Sequence, residues 1–142
     1  MKISIQKIDK ELKTPKYAYI GDAGLDLYSA VDCIIRPLER RKVPTGVKIS
    51  IPKGYAGFVQ PKSGLAINKG LSLVNTPGLI DSGYRGEVCA ILINLDSKTD
   101  IRIMHGDKVC QLVIQKVENV QIELTDNMDS TSRGESGFGS TG

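Results

Sequence analysis

Short stretches in which apolar and polar residues alternate with a period of two run through most of this chain, broken every few residues by glycine or proline. The first covers 2–8 (KISIQKI), and its alternation predicts a half-buried strand whose partner is distant in sequence. After an irregular approach over 14–21, the stretch 22–30 (DAGLDLYSA) reads as a strand with Leu25 and Leu27 on one face and Asp26 on the other, which sets Asp26 apart from the core. Next come 33–36, a turn at Pro37, and 40–51, where Val43, Val47, Ile49 and Ile51 alternate around Pro44 and Gly46. Arg40, Arg41 and Lys42 open that strand as an expected solvated edge, because short basic runs keep edges from pairing. Further strands are predicted over 55–60, 71–74, 88–95, 101–104 and 108–117, and many short strands of this spacing suit a sandwich, a barrel or a jelly roll.

One segment breaks the pattern. Residues 63–69 (SGLAINK) have helical character, with Ser63 placed as N-cap and Gly70 as the stop. A helix that starts directly after a strand presents free N–H groups and the positive end of its dipole, a ready anion site. The stretch 75–87 (NTPGLIDSGYRGE) then predicts a strand end, a tight turn carrying Asp81 and a hairpin into the apolar run 88–95. Its glycines let backbone groups approach a flat ligand closely, since no Cβ stands in the way. A plain turn with a solvated aspartate is the structural alternative.

Composition narrows the picture. At 142 residues and 40% hydrophobic, the chain fits one domain with a real core. Its net charge is only +3, with the basic residues scattered among 16 acids, so a nucleic-acid groove is not expected. Cys33, Cys89 and Cys110 fit no metal-ligand spacing and are expected to be small hydrophobes in a reducing compartment. The N-terminus lacks the apolar core of a signal peptide, and no run reaches the ~18 apolar residues of a membrane span, so a cytoplasmic protein without membrane contact is expected. His105, alone in a Met-His-Gly-Asp turn, is expected to be an exposed loop residue.

From Glu123 on the chain turns to Asp, Ser, Thr, Asn and Gly, a composition that cannot bury enough apolar surface to fold by itself. Phe138 nonetheless stands among glycines with Arg133 before it and Ser140 and Thr141 after it, groups able to stack on a ring and wrap phosphates. No Walker loop, dinucleotide fingerprint, deaminase zinc set or Ser-His pair occurs. What remains is water-based chemistry with a few carboxylates and a hard cation held largely by substrate phosphates.

From end to end the chain resembles the homotrimeric deoxyuridine triphosphatases. Five motifs of that family stand in order: DAGLDLYSA at 22–30, PKSGLA at 61–66, NTPGLIDSGYRGE at 75–87, GDKVCQL at 106–112 and RGESGFGSTG at 133–142. The resemblance implies an all-β, distorted jelly-roll or β-barrel of many short strands with one short helix. It places a β domain over 1–125 and a mobile Gly-rich tail, closing over an active site, over 126–142. It implies hydrolysis of dUTP to dUMP and pyrophosphate, which keeps uracil out of DNA and supplies dUMP for thymidylate synthesis.

By position, Asp81 matches the base that activates the attacking water, and Asp26 the carboxylate that reaches Mg²⁺ through water. Tyr84 matches the residue under the deoxyribose, while Asn75, the backbone of Leu79, Ile80 and Asp81, and Cys89 match the uracil pocket. Lys62, Ser63, Gly64 and Gln111 match the phosphate contacts, and Arg133, Phe138, Gly139, Ser140 and Thr141 the closing tail. The family also implies a homotrimer whose active sites each draw on three chains. Three positions depart from it: Lys62 stands where Arg is common, losing the planar fork, Gly83 where Asp is frequent, and Ser136 where Gly is frequent. Two other readings share the fold. In dCTP deaminases a Glu acts from the strand after the hairpin, where this chain has Ile91, and a nucleotide-sensing protein would use the same pocket without catalysis.

Overall fold

The alternating segments become ten strands in the computed structural model, which describes residues 1–139. They are β1 (Ser4–Lys7), β2 (Gly24–Tyr28), β3 (Cys33–Ile35), β4 (Arg40–Ser50), β5 (Tyr55–Gln60), β6 (Leu71–Leu73), β7 (Gly78–Ile80), β8 (Glu87–Asn94), β9 (Ile101–Ile103) and β10 (Lys108–Lys116). A single helix, α1 (Ser63–Lys69), interrupts them. Two four-stranded antiparallel sheets, ordered β1-β4-β8-β6 and β2-β10-β5-β7, and a small β3-β9 pair make up a jelly roll.

Side chains from both large sheets and from the β3-β9 pair meet in one apolar core. In β8 the alternation is complete, with Val88, Ala90, Leu92 and Asn94 buried and the residues between them half-exposed. Burying a side chain such as Leu92 or Leu112 contributes about 1.5–3 kcal/mol each. Asn94 is the polar member of that row, and its amide donates to the carbonyls of Ile35 (3.0 Å) and Thr99 (2.8 Å). Cys110 lies fully inside, and burial pushes its thiol up to about 12, while Cys33 and Cys89 are half-buried. Among the described residues no helix is long and apolar enough to cross a membrane.

Not every expectation holds. The N-cap of α1 is Lys62 rather than Ser63, and no side chain caps the helix; its stop at Gly70 is as expected, with φ +65 and a donated N–H back to Ala66. Arg40, Arg41 and Lys42 are exposed and lie on an edge, as expected: β8 pairs with them on one side, while β1 reaches only positions 47–50 of β4. Asp26 stands apart from the apolar core as expected, yet it is buried: only 5% of it is exposed, and two lysines from other elements cover its face of β2. The stretch 75–87 is no hairpin either. Its first strand, β7, pairs with β5, whereas β8 pairs with β4 and β6, so Asp81 sits on a crossover between sheets.

Candidate active site

β10 runs between β2 and β5, and this register assembles the first group of candidate residues. Gln111 lies opposite Asp26 on one side and Gln60 on the other. Its side-chain N–H donates to the Pro61 carbonyl (3.1 Å), which ties down the end of β5 just where α1 begins. The Lys62 carbonyl accepts from both Leu65 and Ala66, so the N–H groups of Ser63 and Gly64 precede the helix's own bonding and face outward. Lys62 Nζ reaches Asp26 Oδ1 at 2.5 Å, and Lys108 Nζ reaches Oδ2 at 2.7 Å. Burial disfavours the charge on Asp26, but the hydrogen bonds from Lys108 and Lys62 outweigh it and hold the carboxyl below its ordinary range.

The crossover between β7 and β8 assembles the second group. The Tyr84 N–H donates to the Asp81 carbonyl (3.1 Å), closing a turn that leaves the Asp81 side chain exposed. Arg85, itself exposed, braces the turn by donating to the carbonyls of Ser82 and Tyr84, each at 2.7 Å. At the far end Glu87 accepts from the Gly46 N–H (2.8 Å) and Thr45 donates to the Val88 carbonyl (2.6 Å), pinning the turn to β4. The resulting cleft of about 310 Å³ is lined by Lys42, Leu79, Ile80, Asp81, Tyr84, Glu87, Cys89 and Ile91. Burial and the Glu87 carboxylate keep the Cys89 thiol above its ordinary value, so it serves as a wall rather than a nucleophile. Asn75 is exposed and packs beside Gly78, at the other end of β7 from Asp81.

The two groups stand apart within one chain. Ile80 is paired with Gly57, and Lys62 follows five positions further along, about 16 Å at ~3.3 Å per strand residue. The described part of the tail meets neither group: Arg133 donates to the carbonyl of Ser136 (2.9 Å), and Phe138 is fully exposed beside Gly139. Ser140 and Thr141 lie outside the described residues. Lys108, Lys42 and Glu87 were not singled out from sequence. For Lys108 a signal existed, since it opens the same strand that carries Gln111 and lies across from Tyr28, two residues from Asp26. No three His, Cys, Asp or Glu side chains converge as a metal site among the described residues. A hard cation at the Asp26 cluster would find one protein carboxylate there and would need a ligand that brings its own oxygens.

Comparison with known proteins gives a consistent picture. A family model described as dUTPase matches residues 10–142. The chain is 52% identical over 140 residues to the deoxyuridine 5'-triphosphate nucleotidohydrolase of Corynebacterium glutamicum, covering 99% of this chain and 94% of that one. Its counterpart from Thermobifida fusca is 46% identical over 142 residues, covering 100% of this chain and 79% of that one. Among solved structures, a mutant dUTPase of Staphylococcus bacteriophage 80alpha with dUpNHpp superposes with a TM-score of 0.91 at 27% identity, covering 99% of this chain and 98% of that one.

Proposed function

Because the chain belongs to the dUTPase family, we propose that it hydrolyses dUTP to dUMP and pyrophosphate, removing a source of uracil in DNA and supplying dUMP for thymidylate synthesis. The observation that carries this reading is the cleft on the sheet crossover, where the Asp81 carboxylate, the Tyr84 ring and the backbone of Leu79 and Ile80 face one space. In that cleft strand backbone pairs with the edge of uracil, and cytosine presents the wrong donors. Leu79, Ile80 and Cys89 form this pocket, Asn75 approaches the uracil from the other end of β7, and Tyr84 lies under the deoxyribose, where a 2′-hydroxyl would collide. Asp81 takes a proton from the water that attacks the α-phosphorus in line with the departing pyrophosphate.

Lys62, Ser63, Gly64 and Gln111 hold the phosphates at the start of α1, by charge, by backbone N–H groups and by the Gln111 amide. Asp26 holds Mg²⁺ through water, and the ion, when bound, neutralises phosphate charge. A base and a phosphate ligand acting on one phosphorus cannot stand about 16 Å apart on one chain, which supports a homotrimer whose sites combine the Asp81 crossover of one chain with the helix start of another. The segment 126–142 then closes over a site, with Arg133 on phosphate, Phe138 on uracil, and Gly139, Ser140 and Thr141 around the triphosphate. The β domain over 1–125 is the rigid part, and the protein works in the cytoplasm, without nucleic acid or membrane as partner.

A deaminase of related fold would need a carboxylate at position 91, and Ile91 places an apolar side chain in the cleft instead. Incubation with dUTP and with dCTP, each with and without Mg²⁺, tests the assignment. Pyrophosphate from dUTP with no ammonia from dCTP is expected. Ammonia release, or binding of dUTP without turnover, would overturn it in favour of the deaminase or the sensor.

A further inference from the structure

The ion cluster around Asp26 contains one carboxylate and two ammonium groups, so it carries one positive charge in excess. We propose that Lys108 is a positioning residue: by keeping hold of Asp26 it frees Lys62 to turn its ammonium to the substrate's triphosphate. The inference rests on the dUTP reading above and names a residue for it that no motif role covers.

The argument starts from burial. Asp26 is 5% exposed, so bulk solvent does little to offset its charge, and stripping a buried carboxylate of its only partner carries a heavy desolvation cost. If Lys62 were that only partner, it would be locked to Asp26 and could not be shared with phosphate. The second ammonium removes the conflict. Lys108 comes from β10, the strand paired directly with β2, and bonds the other carboxylate oxygen, so it can stay in place when Lys62 leaves. Lys62 itself emerges from Pro61, the point that Gln111 anchors, so its backbone need not shift when its side chain swings. Counting charge gives the same result. The cluster holds +2 and −1 in the wild type, and without Lys108 it is neutral, leaving nothing in surplus for an incoming anion.

A charge cycle tests this in EDTA, so that no metal enters, by calorimetric binding of the non-hydrolysable imido analogue of dUTP. K108A should bind about tenfold more weakly than wild type, the scale of one charge-assisted hydrogen bond. K108R should stay within about threefold of wild type, because it keeps charge and reach. The decisive variant is K108A combined with D26N, which restores the surplus charge and releases Lys62; its affinity should return to within about threefold of wild type. Should K108A fold poorly by thermal unfolding, Lys108→Gln, which keeps most of the stem, runs the same cycle. Wild-type affinity in K108A overturns the proposal. So does a double variant as weak as K108A, since Lys108 would then touch phosphate itself or serve only the fold. Either result leaves dUTP hydrolysis by the wild type standing, whereas a wild type that neither binds the analogue nor turns over dUTP removes the functional reading first.

Discussion

Tyr84 rests against Gly86, where a Cβ would come within 2.6 Å of the ring carbon Cζ, and the Tyr84 hydroxyl donates to the Glu87 carbonyl at 3.0 Å. The glycine is thus required by its neighbour's ring, and the hydroxyl fixes where that ring stands. Gly86→Ala should displace Tyr84 from its place in the cleft while leaving the sheets intact. A misplacement of this kind lowers kcat/KM for dUTP by about 10–100-fold and narrows the preference over UTP, because the surface that rejects a 2′-hydroxyl has moved. Steady-state kinetics with both nucleotides check it; unchanged discrimination would show that Tyr84 does not contact the sugar.

Asp81 is exposed on a turn that Tyr84 and Arg85 brace through backbone carbonyls, so the carboxylate itself bears no part of the fold. Asp81→Asn should therefore fold normally and bind a non-hydrolysable dUTP analogue near normally. Its kcat should fall by roughly 10²–10⁴, the contribution of a positioned base. Full turnover in this variant would move the base elsewhere.

His105 Nε2 lies 2.7 Å from Asp9 Oδ2, joining the N-terminal segment to the turn between β9 and β10. The hydrogen bond to Asp9 raises the pKa of His105, with Glu11 and Asp32 adding to the effect, and the bond to His105 lowers that of Asp9. A raised histidine contributes stability that is fully present below its unfolded pKa of about 6.5 and is lost as pH rises through the folded value. A lowered aspartate contributes stability present above its unfolded pKa and lost as pH falls through the folded one. The Tm difference between wild type and His105→Gln should accordingly be largest near about pH 5.5 and fade by about pH 9. An equal difference at both would mean that the pair acts through packing alone.

What the sequence disclosed was local. β5 and α1 lie at the expected residues, because period two ends at Pro61 and the left-handed stop at Gly70 needs no distant partner. The crossover was misjudged because the glycines and proline of 75–87 specify a bend and not the strand that receives it; β5, which claims β7, is some twenty residues upstream. Alternation placed Asp26 on the polar face of β2 but said nothing of depth. Its cover comes from Lys62, 36 residues away, and from Lys108 on another strand. By contrast, the charges of Arg40, Arg41 and Lys42 did mark an edge, since β8 pairs them on one side and β1 reaches only positions 47–50 of β4.

Assembly gives the last test. Ile80 faces Gly57 across the β5-β7 pair, and the helix start lies about 16 Å further along β5, so Asp81 and Lys62 of one chain cannot serve the same phosphorus. The tail as far as Gly139 is largely exposed and touches neither group. Chains carrying Asp81→Asn and chains truncated before Arg133 should each form nearly inactive trimers, and the truncation should leave oligomer size and Tm unchanged because it removes no core residue. When the two are mixed under conditions that exchange subunits, some mixed trimers must pair an intact Asp81 with an intact tail from a neighbour, and activity should rise above that of either variant alone. Native mass spectrometry establishes that exchange has occurred. With mixed trimers present and no gain in activity, tail and crossover would have to act within one chain.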